Sequence, residues 1–313
     1  MMKKIRILGY RFGIYGYLPA LVESGYKNIF ISEKGKDFFS KIEQLSHLEK
    51  FITWDKEEIR GNYFDIIILT LPPKTQYQYI IDKSILSRSK NFILEKPIAP
   101  TPQQSLSVIQ EIIDKKINYK VNYSFLYTKW YLDIRNKILK MNKDSKVKIL
   151  WDFKAYHFQY KIDNWKQDNS LGGGAIRFYG IHIIAFLSSL GYLNVKESIG
   201  YNYYKDIIYK WEGSFSKNEL LPNIDLTLNS DANHNLFRIS YNKNNKEHIL
   251  LNLNSPFQKE DKIELYDQRV SPLIHFIENK NPYFDITFQK NLINLWQCIE
   301  DKLILIKKNK SSH

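Results

Sequence analysis

Three observations predict a two-domain α/β chain. Short, continuously apolar strands alternate with helical segments in the first third, a glycine-bearing turn follows the first strand, and the later half runs strand after strand. The N-terminal domain is expected to be a doubly wound parallel sheet covered by helices on both faces. The C-terminal domain is expected to be α+β, on a large, mainly antiparallel, open sheet. A chain of 313 residues is long enough for two such cores, divided into 1–122 and 123–313.

Lys4–Gly9 reads as the first strand, and Tyr15–Ser24 has helical spacing. Strands follow at Asn28–Ser32, Asp65–Leu71 and Asn91–Leu94, then a helix over Gln103–Lys115 and a strand at Tyr119–Asn122. Strands this short and apolar are buried on both faces, which right-handed helical crossovers achieve. Beyond Asn122 a helix around Leu132–Met141 leads to a long strand, Val147–Phe158. A glycine triplet opens a helix over Ala175–Leu190. Extended segments are then predicted at Glu197–Tyr203, Ile207–Glu212, Ile224–Leu228, Leu236–Tyr241, His248–Leu253 and Lys262–Tyr266. A last helix spans Thr287–Lys307, and its apolar face of Leu292, Leu295, Trp296 and Ile299 takes Cys298 into the core. There is no internal repeat and no Pro- or Gly-rich linker.

Apolar residues at 43% and charged residues at 25% exclude a disordered chain. No run approaches the roughly 18–20 apolar residues that span a bilayer, so no membrane partner is expected. The N-terminal Met1–Gly9 is too short in its apolar part for a signal peptide. Cys298 is the only cysteine, which excludes an intrachain disulfide and points to a reducing cytoplasm. The net charge of +13 is spread along the chain and suits an anionic small molecule or nucleic acid. No nucleic-acid-binding motif and no zinc-ligand spacing occurs, so neither nucleic acid nor metal is expected.

Candidate chemistry gathers at strand ends. Gly9-Tyr10-Arg11-Phe12-Gly13 follows the first strand, where glycines let a backbone approach a pyrophosphate at a helix N-terminus. The usual three-glycine spacing is absent: Gly9 and Gly13 match its outer glycines with one residue deleted, and Arg11 offers a side chain to phosphate instead. Alternatively the glycines only make the turn. Ser32-Glu33-Lys34 ends the second strand, and its carboxylate suits a ribose 2′-hydroxyl while its hydroxyl and cation suit a 2′-phosphate, leaving NAD and NADP open. Leu71-Pro72-Pro73 and Gln76 form a stiffened loop after the third strand, and Glu95-Lys96-Pro97 follows the fourth.

Pro72-Pro73, Glu95-Lys96-Pro97, Trp165-Lys166, Gly172-Gly173-Gly174-Ala175, Gly180-x-His182 and a late Ser271-Pro272-Leu273-x-His275-Phe276 occur in that order. Together they resemble the glucose–fructose oxidoreductase, inositol dehydrogenase and MocA (Gfo/Idh/MocA) family over nearly the whole chain. The resemblance implies an N-terminal Rossmann domain binding NAD or NADP, and hydride transfer to or from a hydroxyl or ketone of a sugar or nucleotide sugar. It implies Lys96 and His182 as catalytic residues, His182 as the general acid/base whose pKa suits that role. Cofactor contacts are then expected from Gly9, Arg11, Phe12, Gly13, Ser32, Glu33, Lys34, Leu71, Pro72, Pro73, Gln76, Glu95, Lys96 and Asn122. Substrate contacts are expected from Tyr123, Trp165, Lys166, Arg177, Phe178 and His182, with His157 also a pocket candidate. The family's aspartate falls on Phe178, one helical turn before His182, so a carboxylate is missing from that face. Arg177 either binds an anionic group or pairs at the surface. The resemblance also implies a dimer or tetramer through the second sheet. The departures at the glycine turn and at Phe178 leave a second reading: a chain that kept the fold, lost dehydrogenase chemistry, with or without cofactor binding, and acts by binding sugar or assisting a partner.

Overall fold

The Ile5-Arg6-Ile7-Leu8 run is buried at every position, as a strand covered on both faces must be. It is β1 (Ile5–Leu8) of a computed structural model that describes residues 3–56, 63–82, 85–203, 207–217, 221–244, 246–258, 264–279 and 285–308. Arg6, inside this run, is fully buried and ion-paired to Asp55 at 2.8 Å. The chain divides into two compact units, the first made of Met1–Ala99, Gln104–Thr128 and Phe257–Pro282.

In the first unit β1 is followed by a π-helical turn, Gly13–Tyr17, and α1 (Leu18–Glu23). Then come β2 (Ile29–Ser32), α2 (Lys36–Phe39), β3 (Ile52–Asp55), β4 (Ile66–Leu69) and α3 (Pro73–Ile81). β5 (Asn91–Glu95), α4 (Pro102–Asp114) and β6 (Asn118–Asn122) follow. The strands form one six-stranded sheet in the order β3-β2-β1-β4-β5-β6, with every pairing parallel. This is the doubly wound order expected from the sequence, with its reversal between β1 and β4. β3 was not expected: Ile52-Thr53-Trp54-Asp55 is only four residues long and runs into a charged stretch. Nor was α3, because its two prolines read as a loop. Pro73 stands at the first helical position, where a missing N–H breaks no helical hydrogen bond. The late segment of this unit supplies α8 (Val270–Glu278), whose Val270, Leu273 and Phe276 are buried in one cluster with Ile14, Leu18 and Leu21. The sequence placed that segment in the second half. The Lys120 ammonium donates to the carbonyls of Phe276 and Asn279, closing the C-terminal end of α8.

The second unit is Pro100–Gln103, Lys129–Pro256 and Tyr283–His313. It begins with α5 (Tyr131–Leu139), β7 (Lys146–Lys154), α6 (Tyr156–Gln159) and α7 (Ile181–Ser189). It continues with β8 (Asn194–Asn202), β9 (Ile208–Ser216), β10 (Asn223–Asn229), β11 (Asp231–Lys243) and β12 (Lys246–Leu253). α9 (Ile286–Asp301) and β13 (Leu303–Lys307) complete it. The seven strands run β12-β11-β7-β10-β9-β8-β13, antiparallel except for β7 with β10 and β8 with β13. β9 and β10 alternate buried and half-buried positions, the signature of a sheet packed on one face. That face carries Trp211, Phe215, Leu226 and Leu228, and Leu292, Trp296 and Ile299 of α9 are buried as well.

Several boundaries differ from expectation. The long strand stops at Lys154, and Tyr156–Gln159 is one helical turn. The last helix stops at Asp301, and the run Leu303–Lys307, with β-branched Ile304 and Ile306, pairs with β8 instead. Cys298 is exposed, on the side of α9 away from Trp296 and Ile299, so its expected burial is corrected. Of the predicted strand Lys262–Tyr266, 262–263 lie outside the described residues and 264–266 form a turn. Among the described residues one helical run, Asn169–Ser189, is long and apolar enough by length and composition alone to cross a membrane. It is 72% buried over its apolar window, as a core helix would be.

Candidate active site

In the first unit the reversal of strand order brings the turn after β1 and the ends of β4 and β5 to one sheet edge. Gly9 has φ +92°, a conformation that a side chain disfavours. The turn lies hard against Thr70, whose hydroxyl donates to the carbonyls of Leu8 (2.9 Å) and Gly9 (2.8 Å). A Cβ on Gly9 would fall 2.4 Å from the Thr70 carbonyl oxygen, and one on Gly13 2.6 Å from Ile7. These glycines therefore serve the close approach of the turn to Ile7 of β1 and to Thr70 after β4. Arg11 is exposed in this turn. A glycine turn leading into a helix, an exposed cation and the reversal point fit the pyrophosphate of a dinucleotide. Phe12 does not face outward: its ring lies under the Arg269 guanidinium at 4.7 Å and edge-on to Tyr15 and Tyr17. Ser32 accepts the Lys34 N–H at 3.4 Å, while Glu33 and Lys34 are exposed. Tyr10 was missed by the sequence reading; its ring neighbours Phe38 and its Cβ packs on Gly35.

A closed polar cluster fixes Glu95-Lys96-Pro97, whose Lys96–Pro97 bond is cis. Gln76 is fully buried, donates to the carbonyls of Glu95 (2.8 Å) and Ile98 (2.9 Å), and accepts the Glu95 N–H at 3.1 Å. Its amide brackets the turn on both sides of Lys96, so Gln76 acts on the turn and not on a ligand. One Glu95 carboxylate oxygen accepts from the Tyr17 hydroxyl and the Asn122 amide, both at 2.7 Å. Ser124 in turn donates to the side-chain amide oxygen of Asn122 at 3.0 Å. Burial raises the Glu95 carboxyl pKa, against the two hydrogen bonds and the neighbouring Lys96 charge. Lys96 itself is half-buried. Tyr123, expected at the substrate, is buried, and burial raises its phenol pKa strongly. Leu71 and Pro72 are half-buried, and the Pro72 carbonyl accepts the Gln76 N–H that starts α3.

In the second unit the glycine triplet shapes a loop. The Gly174 N–H donates to the Lys166 carbonyl and the Gly173 N–H to that of Asp168, both at 2.8 Å. A Cβ on Gly173 would sit 2.3 Å from the Trp165 carbonyl oxygen. Trp165-Lys166 and the triplet are thus one backbone assembly, which explains their occurrence together. Lys166 Nζ stands 5.4 Å from the centroid of Phe178, and the Trp165 ring meets Phe178 edge-on at 5.2 Å. Phe178 also contacts Tyr179, whose ring reaches Trp151, Phe153 and His157. The position where the resemblance expects an acid is therefore an aromatic wall bearing a lysine.

Ala175–Gly180 is π-helical, a wider turn than the sequence predicted, and His182 follows in the first turn of α7, 4% exposed. His157 is buried; desolvation, then the Lys166 charge, lower its pKa to about 4, with Asp231 opposing. Arg177 faces Glu300 in a two-pronged pair (Nε and Nη2, 2.7 Å each), and its Nη1 donates to the Asn169 carbonyl. Trp296 donates to the same Glu300 carboxylate. Of the two readings of Arg177, the fork holds the scaffold and does not wait for an anion.

No protein-family model and no curated protein matches the sequence. Solved structures do match. The WlbA (WbpB) dehydrogenase from Thermus thermophilus, in complex with NAD and UDP-GlcNAcA, aligns at TM-score 0.65 and 14% identity over 98% of this chain and 97% of that one. The 3-ketoreductase KijD10 from Actinomadura kijaniata, in complex with NADP, aligns at 0.66 and 10% identity over 98% and 100%. A super-repressor mutant of Gal80p from Saccharomyces cerevisiae aligns at 0.64 and 12% identity over 95% and 94%. These proteins have the Gfo/Idh/MocA fold, and the present chain has that fold.

Proposed function

We propose that this chain of Gfo/Idh/MocA fold is an NAD(P)-dependent oxidoreductase acting on a hydroxyl or ketone of a sugar or nucleotide sugar, in a reducing cytoplasm. The observation that carries the reading is the Gln76–Glu95–Asn122–Tyr17 cluster, which fixes Lys96 after β5 in a fold whose neighbours bind nicotinamide cofactors. A bound nicotinamide supplies or accepts the hydride. The backbone after Gly9, with Arg11, would hold its pyrophosphate, and Glu33 or Lys34 its adenosine ribose. Lys96 polarises the reacting oxygen, and His182 takes or returns the hydroxyl proton. Lys166, held over Phe178, offers a cation to an anionic substrate group. The exposed Ile249 on β12 and Ile304 on β13 suit self-association into a dimer or tetramer, which sedimentation would register.

The test is a titration with NADH and NADPH followed by nicotinamide fluorescence. Binding of one in the micromolar range is expected, and no binding of either at millimolar concentration overturns the reading. Lys96→Ala and His182→Ala should each lower turnover by roughly 10²-fold or more. A second reading, a binding protein without turnover, is favoured by Phe178, whose ring closes the place of the acid, and by the likeness to Gal80p. Phe178→Asp separates them: turnover appearing only in that variant supports the second reading.

A further inference from the structure

We propose that the surface formed by α6 and the start of β11 is a carbohydrate subsite that takes a neutral pyranose ring. Tyr156, Gln159 and Tyr160 stand at i, i+3 and i+4 and so share one side of this helical turn. The two tyrosine rings lie 4.4 Å apart, inclined at 45°, and are 65% and 55% exposed. Gln159 on the same side lines a pocket of about 320 Å³, with Lys154, Ala232, Asn233, His234 and Asn235 as its other walls. That volume is at the lower end of small-molecule sites, ~300–1,000 Å³.

The pocket has a backbone cause. Lys154 pairs with Asp231 and Asp152 with Leu236, so residues 232–235 of β11 oppose Phe153 alone. Such an irregularity bends the strand and re-aims its side chains. The Ala155 N–H donates to the Ser230 carbonyl at 2.8 Å, which ties the start of α6 to the same corner.

The chemistry selects the ligand. Lys154 is ion-paired to Asp231 at 2.6 Å, and His234 contacts Asp152 at 3.1 Å. The one cationic wall, Lys154, thus carries its own counter-charge and His234 already faces a carboxylate, so an anion would have to displace or meet a carboxylate. Gln159, Asn233 and Asn235 present amides, each donor and acceptor, which match neutral vicinal hydroxyls. The tyrosine faces beside them match the C–H faces of a pyranose. No residue of this surface has a role in the oxidoreductase reading, and the inference does not depend on it.

The full-length protein, without nicotinamide, is titrated with glucose, N-acetylglucosamine, maltose and cellobiose, and with glucuronate as the anionic contrast, by calorimetry and saturation-transfer NMR. At least one neutral sugar is expected to bind with Kd of roughly 0.1–5 mM. The double variant Tyr156→Ala/Tyr160→Ala should weaken it by about 10-fold or more, and Tyr156→Phe/Tyr160→Phe should retain it, because the rings are kept. Both tyrosines are exposed, so circular dichroism of either variant should match the parent. Absence of neutral-sugar binding, equal binding by the double alanine variant, or tighter binding of glucuronate overturns the proposal. So does binding that His182→Ala abolishes and the double alanine variant keeps, which would move the sugar to the other site. Since no cofactor is present, failure of NADH binding elsewhere leaves this result untouched.

Discussion

Lys166 acts on two neighbours at once: its ammonium faces the Phe178 ring and repels a proton from His157. His157 is therefore a neutral imidazole at physiological pH, with a pKa of about 4 against the ordinary 6.5. Lys166→Met should raise that pKa, since it removes a repulsive charge. It should stop short of 6.5, since burial, the larger cause, remains. NMR titration of the His157 ring protons reads this directly, and an unchanged or lower pKa would refute the assignment. Glu95 works in the opposite sense. Its folded carboxyl titrates above the ordinary 4.5, so the native state keeps a proton that the unfolded chain releases. The associated stability is fully present below pH 4.5 and is lost as pH rises through the raised value. Glu95→Gln keeps an oxygen for Tyr17 and Asn122 but cannot ionise. Its Tm should exceed that of the parent at neutral pH and converge with it in acid.

Among the elements, the π-helical turn and α9 are joined by Arg177 and Glu300, each less than a fifth exposed. Removing one partner strands the other, so Arg177→Ala should cost about 2–4 kcal/mol by thermal or urea unfolding. Arg177→Lys recovers only part of this, because an ammonium cannot reproduce the two-pronged contact. The partner of Arg177 lies 123 residues away, and nothing in the sequence links Arg177 to Glu300. By contrast, the strands β1, β2, β4 and β5 were legible because apolar runs bounded by turns have one economical arrangement. β13 was not: Leu303-Ile304-Leu305-Ile306 continues an apolar helix, and only pairing with β8 distinguishes the two. In the candidate site, the place of Lys96 just after a sheet strand and of His182 near a helix start was legible from motif order. The roles of Gln76, Tyr123 and Phe12 were not, since burial and hydrogen-bond partners are tertiary facts.

At the scale of the whole chain, the first unit is discontinuous. Its core includes Tyr266, Val270, Leu273 and Phe276, supplied more than a hundred residues after β6. A fragment ending at Thr128 lacks that cover and should expose apolar surface, bind hydrophobic dye and show poor near-ultraviolet dichroism. Joining 257–279 to it through a flexible linker should restore dispersed NMR signals. If the bare fragment is already native-like, the late segment is an accessory and not core. The net charge of +13 adds a further expectation: affinity for NADH or NADPH should fall as ionic strength rises, because the attraction of a basic protein for a polyanion is screened.

The glycine triplet has a consequence for how such a site changes over generations. The path at Lys166 is set by backbone groups: its carbonyl accepts the Gly174 N–H, and the bare Cα of Gly173 allows the close approach. The ring at position 178 meets the side chains of Trp165, Lys166 and Tyr179. The side chains proposed to face a ligand are thus distinct from the backbone groups that hold the loop. A lineage can exchange lysine, phenylalanine or an acid at these two positions and keep the same backbone, so chemistry here can be lost and regained while the fold is inherited intact.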